Sequence, residues 1–130
     1  MKIDHIGIAT RSLADSGIWQ EALGLEAAHT EVVADQGVRV AMLPIGESRI
    51  ELLEPLTSDS PVGKFLDKRG PGIHHIAIRV DNIESSLARL KEQGARLIDE
   101  KPRLGADGCL VAFVHPSSAN GVLLELVQHT

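Results

Sequence analysis

The sequence predicts an α+β fold made of two tandem β-α-β-β-β modules in one domain of 130 residues. Three observations carry that prediction. First, Ile3-Asp4-His5-Ile6-Gly7-Ile8-Ala9 returns as Ile73-His74-His75-Ile76-Ala77-Ile78-Arg79, with His75 in the place of His5, Ile76 of Ile6 and Ile78 of Ile8. Second, the segments downstream of each strand return too. Gly24 is matched by Gly94, Val40-Ala41-Met42-Leu43-Pro44 by Ala112-Phe113-Val114-His115-Pro116, and Ile50-Glu51-Leu52-Leu53 by Leu124-Glu125-Leu126-Val127. Third, the repeat occurs only twice, which describes a duplicated module closing on itself and not a solenoid. A chain of this length makes one domain and can bury about two-thirds of the surface it exposes when unfolded.

The first module opens with a strand over residues 2–9. Ile6 and Ile8 share its bulky face, meant for a helix, and His5, Gly7 and Ala9 share the other, whose small side chains leave room for a ligand. Ser12 with Asp15 resembles a capping box, so a helix is expected over 12–23. Gly24 ends it, and Gly17 weakens its middle. Strands are expected over 27–33, 38–43 and 49–53, with turns at Asp35-Gln36-Gly37 and Pro44-Ile45-Gly46-Glu47. The halves span about 1–56 and 72–130. Residues 57–71 connect them through a short helix with Ser60 as N-cap, Pro61 at its first position and Gly70 at its end. The second module repeats the order: a strand over 74–80, a helix capped by Asp81-Asn82 with Ile83, Leu87 and Leu90 on one face, and a strand over 96–99. A long loop over 102–108 and a strand over 110–114 come next. Asn120-Gly121 forms a tight turn before the last strand, over 122–127.

Composition narrows the function. A net charge of -5 without a basic cluster excludes nucleic acid as the main partner. The single cysteine, Cys109, excludes an internal disulfide and suits a reducing compartment. No apolar run reaches membrane-spanning length, so a cytoplasmic protein without a membrane partner is expected. Trp19, Phe65 and Phe113 are the only aromatics besides histidine, so the core is aliphatic.

The duplication places a histidine on each opening strand and a glutamate on each closing strand. Glu51 shares its face with Leu53, and Glu125 shares its face with Leu123 and Val127. A carboxylate inside an apolar strand is costly unless it is paired or holds a metal. One strand histidine or one glutamate would carry no argument, but four related by one duplication do. His5, Glu51, His75 and Glu125 are therefore expected to hold one divalent cation. Imidazole and carboxylate without thiolate suit Zn, Fe, Co, Mn or Ni. His74 takes a structural role on the helix-packed side. Gln36 reads as a substrate contact or a plain turn residue, Lys64 and Arg69 as solvated helix charges, and His29 and His129 as surface residues. Cys109 reads as a packing residue, and the loop around Gly105–Gly108 as a candidate cover for the site.

Several stretches together resemble the vicinal oxygen chelate (glyoxalase/bleomycin-resistance/dioxygenase) superfamily and, within it, the methylmalonyl-CoA epimerase family. They are Asp4-His5-Ile6-Gly7-Ile8-Ala9, Gln36-Gly37-Val38, Glu51-Leu52-Leu53-Glu54-Pro55-Leu56 and Ser60-Pro61-Val62-Gly63-Lys64-Phe65-Leu66. Gly72-Ile73-His74-His75-Ile76-Ala77, His115-Pro116 and Gly121-Val122-Leu123-Leu124-Glu125-Leu126 complete the set. The resemblance covers essentially the whole length. It implies a curled, cup-shaped mixed sheet and an epimerase interconverting (2R)- and (2S)-methylmalonyl-CoA through C2 proton abstraction and a metal-chelated enediolate. It implies metal ligation by His5, Glu51, His75 and Glu125, one divalent ion per chain (Co2+ first, then Mn2+, Zn2+, Ni2+ or Mg2+), an acyl-CoA substrate and a homodimer. Glu125 and Glu51 are the expected proton-transfer groups, with a metal-bound water or Glu47 as substitutes for the second. Gln36, Val40 and His115 fall near the substrate. Val40 departs from relatives that carry a proton-transferring glutamate there. A glyoxalase-type lactoylglutathione lyase, an extradiol-type dioxygenase with Fe(II) on His5, His75 and Glu125, and a non-catalytic small-molecule binder are the alternatives on the same fold.

Overall fold

The computed structural model describes residues 1–130 and comprises two compact units, one of His5–His74 and one of Met1–Asp4 with His75–Thr130. The strands are β1 (Lys2–Ala9), β2 (His29–Val33), β3 (Val38–Ile45), β4 (Ser48–Pro55), β5 (Gly72–Arg79), β6 (Arg103–Leu104), β7 (Leu110–Val114) and β8 (Leu124–Gln128). The helices are α1 (Pro61–Arg69) and α2 (Ile83–Glu92).

In the His5–His74 unit the strand order is β2-β3-β4-β1. β2, β3 and β4 run antiparallel in sequence, and β4 lies parallel to β1 with Glu51 beside Gly7 and Leu53 beside Ala9. Because facing residues share a side of the sheet, the rows Gly7–Glu51–Met42 and Ala9–Leu53–Val40 lie on one face. The other face packs Ala41, Leu43 and Leu52 against Ile8, Leu13, Trp19, Leu25 and Ile50. Leu43 and Leu52 are buried, each stabilising the fold by about 1.5–3 kcal/mol.

The helix expected over 12–23 does not form as one piece. A 3-10 turn at Leu13–Asp15 and a π-type turn at Ile18–Ala22 replace it. The break falls at Ser16 (φ -97°, ψ 16°), just before Gly17. Ser16 Oγ donates to the Leu13 carbonyl at 2.7 Å, and the Ser16 carbonyl accepts from both Trp19 and Gln20 at 3.1 Å. A serine hydroxyl competing for the backbone next to a glycine undoes a marginal helix. Leu13 and Trp19 still reach the core, so the segment keeps its packing role. Gly24 ends it with φ +78°. Further along, Gly37 (φ 65°) turns the chain between β2 and β3. Ser60 caps α1, its Oγ accepting from Gly63 N at 3.2 Å. Gly63 is required there, since a Cβ would stand 2.5 Å from the Thr57 carbonyl oxygen and 2.6 Å from that of Ser58.

In the second unit the order is β5-β8-β7-β6. β5 and β8 are parallel, with Ala77 beside Glu125 and Arg79 beside Val127, and β7 runs antiparallel to β8 with Phe113 opposite Glu125. One face packs Val80, Ala112 and Leu126 on Ile83 and Leu87 of α2, with Leu90 alongside. Asn82 caps α2 through Ser85 N at 3.0 Å. The strand expected over 96–99 is absent. Leu97 makes one isolated bridge to Val114, and the edge strand is β6, inside what reads as a loop. Backbone and side-chain bonds alternate at 96–99: Ile98 N donates to the Phe113 carbonyl and His115 N to the Arg96 carbonyl, both at 2.9 Å, while Arg96 N donates to Ser118 Oγ at 2.8 Å and the Asp99 carboxylate accepts from Phe113 N at 2.9 Å. Gly105 lets the chain pass close to β7, since a Cβ there would come within 2.6 Å of the Val111 side chain. Asn120 (φ 56°) and Gly121 (φ 85°) make the tight turn, and β8 starts at Leu124, two residues later than the alternation suggests. No helix is long and apolar enough to cross a membrane.

Candidate metal centre

In the first unit the strand alternation brings His5 of β1 and Glu51 of β4 to the face opposite the hydrophobic cluster. His5 Nδ1 lies 3.3 Å from Glu51 Oε2, and each residue is 4% exposed. Arg49 lies on the same face, two residues before Glu51, and its Nε donates to Glu51 Oε2 at 2.9 Å. The second unit repeats the pair: His75 Nε2 lies 2.9 Å from Glu125 Oε1, both nearly fully buried. The His75 ring stands edge-on to Phe113, with centroids 5.7 Å apart. Each unit thus holds one imidazole and one carboxylate at the positions the repeat assigns. The two pairs meet through different ring nitrogens, Nδ1 of His5 and Nε2 of His75.

A buried carboxylate beside a buried imidazole is expensive as a simple ion pair and favourable as a set of metal ligands. The donors are nitrogen and oxygen only. Cys109 packs with Ala77, Val111 and Val127, so no thiolate competes. This set fits a divalent cation. His74 turns to the helix side as expected, its ring 5.1 Å from Phe65 of α1.

The other candidates scatter. Gln36 is half-buried in the turn before Gly37. Val40 is 2% exposed, one row from Glu51, and brings only hydrocarbon to that neighbourhood. His115 caps the turn Pro116–Ser118, its Nδ1 accepting from Ser117 N at 3.0 Å. Glu47 sits exposed at the tip of the β3–β4 hairpin. His29 is exposed and pairs with Glu31 at 3.0 Å. Arg69 lies over the Phe65 ring at 5.7 Å.

Sequence reasoning missed one buried group. Asp4 is 2% exposed, and its Oδ1 accepts from Arg79 Nε and Nη2 at 3.2 and 3.1 Å and stands 2.7 Å from His129 Nε2. His129 is therefore no free surface residue, because it closes a charged cluster. The only available signal was an aspartate standing between Ile3 and His5 in an apolar strand.

Residues 4–113 match the model of the Glyoxalase/Bleomycin resistance protein/Dioxygenase superfamily. An ethylmalonyl-CoA/methylmalonyl-CoA epimerase of Cereibacter sphaeroides is 39% identical over 98% of this chain and 97% of its own length. The chain belongs to the methylmalonyl-CoA epimerase family within that superfamily. Solved structures of the epimerase family agree along the whole chain. A Streptomyces coelicolor methylmalonyl-CoA epimerase variant in complex with 2-nitronate-propionyl-CoA has a TM-score of 0.96 at 42% identity, covering 100% of this chain and 95% of its own. A methylmalonyl-CoA epimerase in complex with methylmalonyl-CoA and NH4+ has a TM-score of 0.95 at 43% identity, covering 99% of this chain and 94% of its own. The predicted fold, two β-α-β-β-β modules of the vicinal oxygen chelate type, is the fold of these epimerases.

Proposed function

We propose that this chain is a metal-dependent epimerase that interconverts (2R)- and (2S)-methylmalonyl-CoA. The observation that carries the proposal is the His–Glu pair repeated at equivalent strand positions, His5 with Glu51 and His75 with Glu125. The epimerases related to almost the whole of this chain favour this chemistry over a lactoylglutathione lyase, a dioxygenase or a non-catalytic binder. In this reading the two halves, about 1–56 and 72–130, form one domain, and His5, Glu51, His75 and Glu125 hold one divalent ion. Co2+ is the first choice, followed by Mn2+, Zn2+, Ni2+ or Mg2+.

When bound, such an ion supplies Lewis-acid stabilisation of the negative charge that develops on the substrate oxygens. The protein does the proton work. Glu125 takes the C2 proton from one face of the 2-carboxyacyl thioester, and Glu51, which takes up a proton from solvent as substrate binds, returns that proton to the opposite face of the planar carbanion equivalent. Val40 cannot move a proton, so Glu51 is the first choice for the second proton-transfer group, with a metal-bound water or Glu47 as substitutes. Burial of both keeps bulk water from the reacting carbon. Gln36 and Val40 contact the acyl part from one half and His115 from the other. The single cysteine suits the cytoplasm, and the open edge of β2 and the family resemblance favour a homodimer there.

Exchange of the C2 hydrogen of methylmalonyl-CoA into deuterated water tests the proposal. Exchange dependent on added Co(II) and abolished by a chelator is the expected result. Full metal occupancy without exchange would overturn the assignment.

A further inference from the structure

Arg49 breaks the internal repeat. The residue two before Glu51 is an arginine, whereas the residue two before Glu125 is Leu123. On β4 this spacing keeps Arg49 on the face of Glu51, in the β-row of His5. Its side chain is 17% exposed, and its Nε donates to Glu51 Oε2 at 2.9 Å. A guanidinium held that far from water needs a reason beyond packing.

Charge supplies one, on the reading given above. With both glutamates ionised before substrate binds, two carboxylates cancel the charge of a divalent ion and two imidazoles add none, while Asp4, next to His5 in the chain, is already paired with Arg79. A substrate that arrives with a free carboxylate, and becomes more negative as C2 loses its proton, would meet a neutral centre. Arg49 returns one positive charge without taking a position on the ion. We infer that Arg49 is a positioning residue that clamps Glu51 and restores net positive charge to the centre, thereby setting its affinity for anionic chelating ligands.

The test uses the full chain loaded with Co(II) at concentrations that saturate each variant. Malonate is the probe, followed by calorimetry and by the Co(II) absorption band. Arg49→Met should weaken malonate binding by about tenfold or more, as loss of one charge near the anion requires. Arg49→Lys, which keeps the charge, should lose less. Adding Glu51→Gln to Arg49→Met removes one negative charge and should restore binding to within about threefold of the native protein, since attraction depends on net charge at this range. A merely structural role gives no such rescue. Native affinity in Arg49→Met, a loss in Arg49→Lys as large as in Arg49→Met, or a double variant as weak as Arg49→Met would overturn the inference while leaving the metal reading intact. Native protein that takes up no Co(II) at micromolar levels would remove the metal reading and this inference with it.

Discussion

Replacing Asp4 by alanine is the sharpest test of what holds the opening strand in place. The carboxylate is 2% exposed and receives two nitrogens of Arg79 and one of His129 on a single oxygen. Hydrogen bonds to a charged group stabilise by about 1.5–3 kcal/mol each. The side chains of Arg79 and His129 are 34% and 32% exposed, so both regain water once released. That recovery brings the expected net loss down to about 2–3 kcal/mol. For a chain of this size it corresponds to a fall in Tm of roughly 10 °C, or of about 1 M in the urea midpoint at an unchanged slope. Urea denaturation of native protein and Asp4→Ala, followed by circular dichroism without metal, measures it. A midpoint within about 0.2 M of native would show that the cluster contributes nothing and that the geometric reasoning fails.

Other outcomes rest on the same geometry. Glu125→Gln should lower C2-hydrogen exchange by at least about a hundredfold, the lower range for a lost general base or acid; unchanged exchange would remove its proton-transfer role. Val40→Glu should leave exchange intact or raise it while lowering Tm, because the new carboxylate enters a nearly water-free position. Gly63→Ala should destabilise by about 2 kcal/mol or more in thermal melts, since its methyl would meet two backbone carbonyl oxygens. Saturating Co(II) should raise stability by about 2.7 kcal/mol at a hundredfold excess over Kd, and a chelator should reverse the gain. Lys91 donates to Glu100 and holds its carboxyl below the ordinary value. Lys91→Ala should therefore raise that pKa in an NMR titration.

What the sequence revealed was what repeats or has a local cause. The two opening strands, the paired acids and the caps at Ser60 and Asn82 each have a short pattern with a physical meaning, and each stands where expected. The first helix broke at Ser16, whose backbone leaves the helical region (φ -97°, ψ 16°) and whose hydroxyl donates to the Leu13 carbonyl, a competition that a hydrophobic spacing does not register. At 96–99 the backbone still bonds to the β7 end, but Ile98 N and Asp99 N both donate to the single Phe113 carbonyl and the Asp99 carboxylate takes Phe113 N, so the regular ladder is interrupted and Arg103–Leu104 forms the edge strand. Asp4, Arg79 and His129 are far apart in the chain and obey no period, so their cluster exists only once the chain has folded. Arg49 was visible as a letter two places before Glu51, but its meaning depends on Nε pointing along the sheet at one carboxylate oxygen.

In β4 and β8 the acids alternate with the leucines and isoleucine that fill the interior. Sliding either strand by a single residue would therefore empty the hydrophobic layer and turn the carboxylate away in the same movement. Solidity and chemistry are locked to one another, so a lineage cannot trade one for the other by small shifts of these strands. The β3–β4 hairpin tip, Ile45 to Ser48, carries no such double duty, and a change of length there would leave both layers in register.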